Sequence, residues 1–491
     1  MPGWCAALAG PCRFLFPFEI RKRYFYCTAF GLGRALQHMQ QLHTAEAGGA
    51  PGAGHAVSGT RVQVRVSRKR ILESAAKVME LYARSRAVLE LEYFGEVGTG
   101  LGPTLEFYTL LCHELQRKDL AMLGEGEDAE AKGLRASASA SASPDTMEVD
   151  GGCEYVNAPW GLFPRPLPPA ARSSPAGLKA VERFRLLGRT LAKALQDNRL
   201  LDLPLSHVFY AAALGSPLDM WDIARIDPGL GATLAKLHSA LVAYRAAGGS
   251  GTLLVDGVSV EDLCITFVLP GTPDYPLRPG GEELVVGSAE QLGEYIEAVV
   301  DATLGSGVAA QMAAFREGFN EVFSLSTLSL FHEDEIEVLL CGSGERWTMQ
   351  VLAEAIKFDH GYTANSQPVR FLLEILSGLD ASEQRAFLRF VTGCPRLPPG
   401  GLTALQPRLT VVRKHPSGGE GPSNNPTPVG SFQEAGLSLG AATAVCAADA
   451  DLPSVMTCAN YIKLPPYSSK AVMSARLMYA IREGQGSFDL S

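Results

Sequence analysis

The segment Leu452-Pro453-Ser454-Val455-Met456-Thr457-Cys458-Ala459-Asn460 places one cysteine in a polar turn. The stretch that follows it, residues 461–464, is short and apolar, which predicts a strand. The stretch before it, residues 416–450, is rich in Gly, Pro, Ala and Ser. A thiol on such a turn is better exposed than one inside a helix, which makes it a candidate nucleophile. The alternative, a half-buried structural thiol, is common and stays open on these residues alone.

The sequence around this turn predicts a small mixed unit of helices and strands. Helical apolar spacing occurs in residues 369–379, 382–391 and 468–482, and short strands are predicted at residues 409–413 and 461–464. This mixture favours an α+β unit over residues 345–491, rather than an all-helical or all-β one.

Low-complexity stretches divide the chain. Residues 124–152 and 416–450 lack the apolar periodicity needed to bury a face, so we interpret both as disordered insertions. A Gly/Ala stretch ends near residue 59, and Gly342-Ser343-Gly344 follows an apolar helix end. The predicted divisions are an N-terminal helical and linker segment, a large unit, a hinge and a small unit, at residues 1–58, 59–342, 343–344 and 345–491.

Composition and charge narrow the class of protein. The 491 residues exceed what one core usually holds, and the hydrophobic fraction of 46% with 19% charged residues is that of a folded chain. A net charge of −9 argues against a general nucleic-acid surface. A basic and aromatic cluster at residues 13–25 suits RNA or a membrane surface, but it more often marks a helix packed on a neighbouring domain.

Ten cysteines are too sparse for a disulfide scaffold, and their spacing lacks the Cys-x-x-Cys pairs of structural zinc sites. No run of about 20 apolar residues occurs. The Gly-rich loop at residues 95–102 lacks the Gly-Lys-Ser/Thr ending of a phosphate-binding loop, which argues against nucleotide binding. We therefore expect reduced thiols, no metal, no membrane span and an intracellular location, in the cytoplasm or the nucleus.

Ordered motifs along the whole chain resemble those of the HECT-type ubiquitin-protein ligases. In the C-terminal third they are Gly361-Tyr362, Phe390-Val391-Thr392-Gly393, Arg396-Leu397-Pro398-Pro399-Gly400-Gly401, Leu452-Pro453, Thr457-Cys458-x-Asn460, Leu464-Pro465-Pro466-Tyr467-Ser468 and Gly486-Ser487-Phe488. Before it they are Arg70-Ile71-Leu72, Gly102-Pro103-Thr104-Leu105-Glu106-Phe107-Tyr108, Leu187-Gly188-Arg189, Leu200-Leu201-Asp202-Leu203 and Phe315-Arg316-x-Gly318-Phe319. The matches look most like the subgroup linked to ubiquitin-fusion degradation, which includes plant KAKTUS-type ligases.

The resemblance implies a bilobal α+β HECT domain, in which a flexible hinge joins a larger, mostly helical N-terminal lobe to a smaller α/β C-terminal lobe. It also implies that Cys458 accepts ubiquitin as a thioester from a ubiquitin-conjugating enzyme and passes it to a substrate lysine, with no metal or organic cofactor. A hinge suits this chemistry, because Cys458 must approach first the donor thioester and then the acceptor to about 3–3.5 Å.

Further site residues follow from the same resemblance. Thr457 and Asn460 are expected to hydrogen-bond the thioester carbonyl or, alternatively, to form the turn. Phe488 is expected to hold the lobes in register during transfer to lysine, and a ring that only covers the C-terminal lobe is the alternative. Glu96 and Glu106 are candidates for orienting the lobes or the acceptor lysine, and a solvated helix carboxylate is the alternative for Glu106.

The family's conjugating-enzyme site implies a hydrophobic contact made by Leu263, Ile265, Tyr295 and Val299. Tyr295 and Val299 are four residues apart and so share a helix face, and Leu263 and Ile265 are expected to share a strand face. Core packing explains the same spacing and stays open.

The chain departs from the family pattern near the nucleophile. Many relatives have His and Phe where this chain has Met456 and Ala459, and an Asp before paired glycines where it reads Thr99-Gly100-Leu101-Gly102. No role is assigned to these positions.

Our interpretation is a ubiquitin-protein ligase that feeds proteasomal degradation. A catalytically silent scaffold that binds a conjugating enzyme, and a cysteine peptidase assembled with a histidine such as His415, stay open. Members of the subgroup carry armadillo-type repeats ahead of the catalytic region, and no such array is visible in residues 1–491. A fragment, an incomplete gene model and a short natural form are all compatible with this, and we expect most of the substrate selection to lie elsewhere.

Overall fold

The structure is a computed structural model that describes residues 10–36, 60–96, 100–124, 154–414 and 448–483, together with positions 8, 39 and 98. Nearly all of the two predicted insertions therefore lies outside the described residues. Buried apolar side chains form three clusters. We name the parts they define the large unit (residues 18–214 and 308–341), the small subdomain (residues 220–304) and the C-terminal unit (residues 347–483). Helices and small sheets occur together, which confirms the α+β class.

The large unit is mostly helical, and its two strands pair in parallel, from Arg61 opposite Val88 to Val66 opposite Tyr93. Its first elements are α1 (Phe18–Thr28), β1 (Arg61–Val66), α2 (Ile71–Tyr82), β2 (Val88–Tyr93), α3 (Leu101–Leu115), α4 (Pro175–Gln196) and α5 (His207–Leu214). The long helix α4 begins at Pro175 because Ser174 caps it, its Oγ accepting a hydrogen bond from the Gly177 amide at 3.1 Å.

The small subdomain is inserted between α5 and the last helices of the large unit. It contains α6 (Met220–Ile223), α7 (Pro228–Ala246), the short antiparallel strands β3 (Leu254–Val255) and β4 (Val258–Ser259), and α8 (Ala289–Leu304). The chain then returns to the large unit with α9 (Ala309–Asn320) and α10 (Glu333–Cys341). Phe315 and Phe319 of α9 are buried in the same core as Leu187 of α4.

The C-terminal unit is built on one mixed four-stranded sheet with the order β5-β6-β8-β7. Strands β5, β6 and β8 are parallel, and β7 runs antiparallel to β8. Its elements are α11 (Met349–Ala355), β5 (Lys357–Asp359), α12 (Gln367–Ser377), α13 (Ala381–Thr392), β6 (Thr410–Arg413), β7 (Ser454–Met456), β8 (Tyr461–Leu464) and α14 (Lys470–Glu483). These bounds differ by at most two residues from those predicted for the three helices and for the strands at residues 409–413 and 461–464.

The predicted hinge follows α10 directly. Gly342 has a φ of 76°, and the amide of Ser343 donates to the carbonyl oxygen of Leu397 at 3.1 Å. A Cβ on Gly342 would overlap that oxygen, so both the conformation and the contact require glycine here. The flexibility of this segment stays a prediction.

The basic and aromatic cluster at residues 13–25 packs into the core of the large unit, which agrees with a packed helix, although residues 18–25 are part of that unit and not of a separate neighbour. Phe25 of α1 is fully buried in the core of the large unit. Arg21 is only 5% exposed and makes two 2.5 Å hydrogen bonds to the carboxylate of Glu335, a third to the carbonyl oxygen of Leu330 and a fourth to that of Phe16. This arginine therefore ties α1 to the start of α10.

We expect Arg21→Met to lower the free energy of unfolding by about 3 kcal/mol, because removing one partner of a buried pair leaves the other charge and a carbonyl unpaired. Urea unfolding followed by circular dichroism measures this change. Lys22→Met is the control, since Lys22 makes a 3.7 Å contact with the exposed Glu19 and lies 5.8 Å from the centre of the Phe18 ring, and it should change stability by less than about 1 kcal/mol. Equal effects of the two substitutions would contradict the prediction.

One stretch, Ala289–Asn320, is long and apolar enough to cross a membrane by length and composition alone. It consists of the two separate helices α8 and α9, and 50% of its apolar window is buried in the protein. Core helices pass the same test, so the stretch is weak evidence for a membrane span.

Candidate active site

Cys458 lies on a short 3-10 turn, Thr457–Ala459, that connects the antiparallel strands β7 and β8. Met456 and Tyr461 are paired at the base of this turn, so the sheet fixes the position of the thiol from both sides. The side chain of Cys458 is exposed. This arrangement gives a rigid, accessible thiol at the edge of the C-terminal unit.

The other described cysteines differ from Cys458 in their surroundings. Cys264 is also exposed, Cys12 and Cys27 are partly exposed, and Cys112, Cys341 and Cys394 are buried. Burial raises the pKa of Cys341 and of Cys394 to about 12, so both thiols stay protonated at neutral pH. Among the described cysteines, Cys458 and Cys264 are therefore the two most accessible candidates for a nucleophile.

The turn that carries Cys458 packs against the first turn of α3 in the large unit. A Cβ added to Gly102 would overlap the hydroxyl of Thr457 and lie 3.4 Å from the backbone nitrogen of Cys458. Thr457 is buried at this contact. The absence of a side chain at Gly102 therefore permits the close approach of the turn that carries Cys458 to the large unit.

Asn460 ends the turn in the left-handed conformation, with a φ of 48°. Asparagine tolerates this conformation better than most residues. Its Nδ2 donates to the carbonyl oxygen of Pro407 at 2.6 Å, and the side chain is buried. Of the two roles expected for Asn460, these contacts favour the turn-forming one.

Glu106 lies one turn after Gly102 on α3. The alternative interpretation, a carboxylate exposed to solvent, does not hold for it. It is 5% exposed and accepts hydrogen bonds from Arg68 at 2.5 and 2.9 Å. The same guanidinium donates to Glu96 at 2.8 Å. Burial raises the pKa of Glu106 above its ordinary value, although Arg68 acts in the opposite direction. Arg68, which sequence reasoning did not single out, thus joins the two candidate carboxylates.

The four residues expected to contact a conjugating enzyme fall into two groups. Tyr295 and Val299 of α8 are buried in the core of the small subdomain, at 5% and 0% exposure, so core packing accounts for them. Leu263 and Ile265 are half-buried at its surface. The expected strand at Leu263 and Ile265 is wrong: Glu261–Leu263 is a 3-10 turn, and Cys264 after it has a φ of 49°, because the segment reverses direction here.

Sequence reasoning missed an ion-pair cluster between the large unit and the C-terminal unit. Asp202 accepts hydrogen bonds from Arg385 at 2.7 and 2.8 Å and from Arg396 at 2.7 Å. A signal was available, because Asp202 and Arg396 are each the one charged residue of an otherwise uncharged motif.

Three other residues of the sequence analysis gain no role from the structure. Phe488 and His415 lie outside the described residues, so neither is placed relative to Cys458. Met456 is exposed beside the turn. In the part of the chain that the structure describes, no three His, Cys, Asp or Glu side chains are grouped closely enough to hold a metal ion.

Comparisons with known proteins cover the whole chain. Residues 109–491 match the family model described as HECT-domain (ubiquitin-transferase). Over its whole length the chain is 50% identical to E3 ubiquitin-protein ligase UPL3 of Arabidopsis thaliana, covering 26% of that protein. It is 39% identical to E3 ubiquitin-protein ligase TRIP12 of Danio rerio and 36% identical to Ubiquitin fusion degradation protein 4 of Saccharomyces cerevisiae, again over 100% of this chain, covering 23% and 30% of those proteins. The chain thus spans under a third of the length of these relatives.

Proposed function

The chain belongs to the HECT-domain (ubiquitin-transferase) family, and from this premise we propose that it accepts ubiquitin from a conjugating enzyme as a thioester on Cys458 and transfers it to a lysine. The observation that carries the proposal is the position of Cys458, an exposed thiol on a fixed turn within the family-matched residues. In the bilobal arrangement that we propose, the large unit and the small subdomain form the N-terminal lobe, and the C-terminal unit is the other lobe.

The chemistry takes two steps. The thiolate of Cys458 attacks the thioester carbonyl carbon of charged conjugating enzyme, and the enzyme's thiolate leaves. One thioester is exchanged for another, so the step is nearly balanced in energy. A lysine amine then attacks the new thioester, gives up its proton to water and releases the Cys458 thiolate. Both steps need access to Cys458, which is the nucleophile of the first step and carries the thioester that lysine attacks in the second, and an exposed turn provides this access.

The test is incubation of the protein with ubiquitin-charged conjugating enzyme, followed by electrophoresis with and without reductant. A ligase gives an adduct that reductant cleaves. A silent scaffold binds the conjugating enzyme without an adduct, and a cysteine peptidase cleaves peptide bonds instead. Absence of a reductant-sensitive adduct under conditions in which the conjugating enzyme binds would overturn the proposed function.

We further propose that the conjugating enzyme binds an outer patch of the small subdomain, formed by Leu254, Val258, Leu263, Ile265 and Val285. Leu254, Val258 and Val285 are exposed apolar side chains, and Leu263 and Ile265 are half-buried. Backbone hydrogen bonds join the segments that carry them, including one from Val286 to Ile265 at 2.8 Å. An exposed group of apolar residues of this kind is typical of a protein-binding surface.

Leu263→Asp should weaken binding of the conjugating enzyme about tenfold or more, because a charge at the apolar contact is left uncompensated. Titration of thioester formation against the concentration of charged conjugating enzyme measures the change. Leu178→Asp, at an exposed leucine of α4, is the matched control and should load normally. Val299→Asp should instead unfold the small subdomain, because Val299 is fully buried. Normal loading by folded Leu263→Asp would remove this residue from the patch.

Phe488→Ala should accept ubiquitin on Cys458 almost normally and discharge it slowly to lysine, because we propose that its ring holds the lobes in register only for transfer. Single-turnover discharge of preloaded protein measures this. Tyr479→Ala, at an exposed aromatic of α14, serves as the control. If Phe488→Ala discharges ubiquitin at the parental rate, the proposed role in transfer is wrong. The alternative role, in which the ring covers the C-terminal unit, then applies.

The names of the relatives suggest the consequence of transfer. One of them is a ubiquitin fusion degradation protein. We propose on this similarity that the products of this chain's transfer reaction are directed to proteasomal degradation in the cytoplasm or nucleus. Stabilisation of a ubiquitin-fusion reporter in cells that lack the protein is the corresponding test.

A further inference from the structure

Three charged side chains join the large unit to the C-terminal unit. Asp202 of the large unit receives hydrogen bonds from Arg385 and Arg396 of the C-terminal unit, all between 2.7 and 2.8 Å. The side chains of Asp202 and Arg396 are 17% and 22% exposed, whereas that of Arg385 is 47% exposed. Since two members are shielded from solvent, this cluster should stabilise its contact more than an ordinary surface ion pair does.

Asp202 is held rigidly on its side of the contact. Its neighbours Leu201 and Leu203 are buried in the core of the large unit, and the Leu201 amide donates to the carbonyl oxygen of Leu340 at 2.8 Å. The carbonyl oxygen of Asp202 itself accepts a hydrogen bond from Gln116 of the segment that follows α3. The carboxylate therefore cannot follow the C-terminal unit if that unit moves.

Arg385 and Arg396 are also held in place, on the side of the contact that the C-terminal unit forms. Arg385 lies on α13, whose first turn is capped by Asp380. Arg396 precedes Leu397, the residue whose carbonyl oxygen accepts the hydrogen bond from Ser343 in the predicted hinge. Contact with Asp202 thus fixes the C-terminal unit next to its own connection to the large unit.

The same arrangement of the units brings Cys458 to α3. The turn that begins at Thr457 approaches Gly102, and the hydroxyl of Thr109 donates to the carbonyl oxygen of Gly393 at 3.1 Å in a buried contact. Within the described residues, no hydrogen bond or ion pair joins the C-terminal unit to the small subdomain. In this arrangement the turn of Cys458 lies against the large unit, whereas the patch where we place the conjugating enzyme lies on the small subdomain.

We propose that Asp202, Arg385 and Arg396 form a latch whose closed state positions Cys458 for discharge to lysine and whose opening accompanies loading. This inference rests on the proposed function and assigns to Asp202 a positioning role in it. Loading needs Cys458 to reach a thioester carried by the enzyme at the small subdomain, so the latch contributes nothing to that step. Discharge gains from the latch, because a fixed thioester spends more time within reach of the acceptor.

The test compares loading and discharge in Asp202→Asn, Arg385→Gln and the double variant. Each variant is first incubated with charged conjugating enzyme to measure loading, then preloaded, separated and mixed with free lysine to measure discharge. Discharge by Asp202→Asn should be about tenfold slower than by the parent, and loading should be equal or faster. The substitution weakens half-buried charged hydrogen bonds that exist only in the closed state, so it destabilises that state alone. Glu374→Gln is the control, because Glu374 pairs with Lys470 at 2.9 Å inside the C-terminal unit with a similar exposure to that of Arg385.

The double variant decides whether the residues act together. If Asp202 and Arg385 act through each other, the double variant should discharge no more slowly than Asp202→Asn. Arg385→Gln keeps the test valid if Asp202→Asn unfolds, since Arg385 is half-exposed. Discharge at the parental rate, additive losses in the double variant, or equal losses in loading and discharge would each overturn the latch. A parent that forms no adduct contradicts the proposed function itself, and the latch falls with it.

Discussion

Cys458→Ser should lose thioester formation by a factor on the order of a thousand or more, because a serine hydroxyl is far less available as an anion near neutral pH than a thiol. Any ubiquitin that it accepts should be held as an ester, which reductant does not cleave. Cys458→Ala should not load at all. Electrophoresis of the adduct with and without reductant distinguishes the three proteins.

Cys27→Ser is the control for this experiment. Cys27 is partly exposed and lies on α1, which carries neither the turn of Cys458 nor the patch proposed for the conjugating enzyme. Cys394→Ala is a second control, at a thiol that is buried. Both variants should form the adduct, and undiminished loading by Cys458→Ala would refute the assignment of the nucleophile.

Gly102→Val should slow discharge to lysine by about ten- to a hundredfold while leaving loading largely intact. The new side chain would occupy the space of the Thr457 hydroxyl, so the turn that carries Cys458 must retreat from α3. A displacement of about 1 Å at a reacting group is enough to produce a loss of this size. Single-turnover discharge of preloaded protein, with loading measured in parallel, gives both rates.

The effect of Gly102→Val on thermal stability distinguishes slow discharge caused by the displaced turn from slow discharge caused by misfolding. Replacing glycine inside a helix normally stabilises the helix by up to about 1 kcal/mol, so Gly102→Val should not lower the melting temperature through α3 itself. Gly229→Val is the matched control, since Gly229 is the second residue of α7, as Gly102 is of α3, and a Cβ there meets only the nearby cap residue Asp227 at 3.4 Å. Slow discharge by both glycine variants would argue against a specific contact at Gly102.

Local patterns in the sequence predicted most of the helices and two of the strands of the C-terminal unit. The spacing of apolar residues predicted α12, α13 and α14, because a helix that packs on a core must place its apolar residues three and four positions apart. Cys458 was found by its position in a polar turn between low-complexity residues and a short strand, together with the surrounding motifs. These signals depend on neighbours within a few residues, so no knowledge of the fold was needed.

The burial of Tyr295 and Val299 shows where such signals end. Their spacing defines one face of α8, but a helix face can pack on a core or on a partner. The structure places that face in a core with Phe267 and Leu237, so the proposed patch for the conjugating enzyme is built from other residues. The 3-10 turn at Leu263 was missed for a related reason, since alternation of two apolar residues is too short a pattern to establish a strand.

The sequence by itself determined the family, the α+β class and the approximate bounds of the C-terminal elements, and it supplied the proposal that Cys458 is the nucleophile, because motifs and periodicities are properties of adjacent residues. Only the tertiary structure decided which groups meet across the units. Asp202 and Arg396 are 194 residues apart in the chain, and Gly102 meets the turn of Cys458 from the other unit. Such contacts depend on how separate cores are oriented, and that orientation is set by many weak interactions distributed along the chain rather than by any short stretch of it.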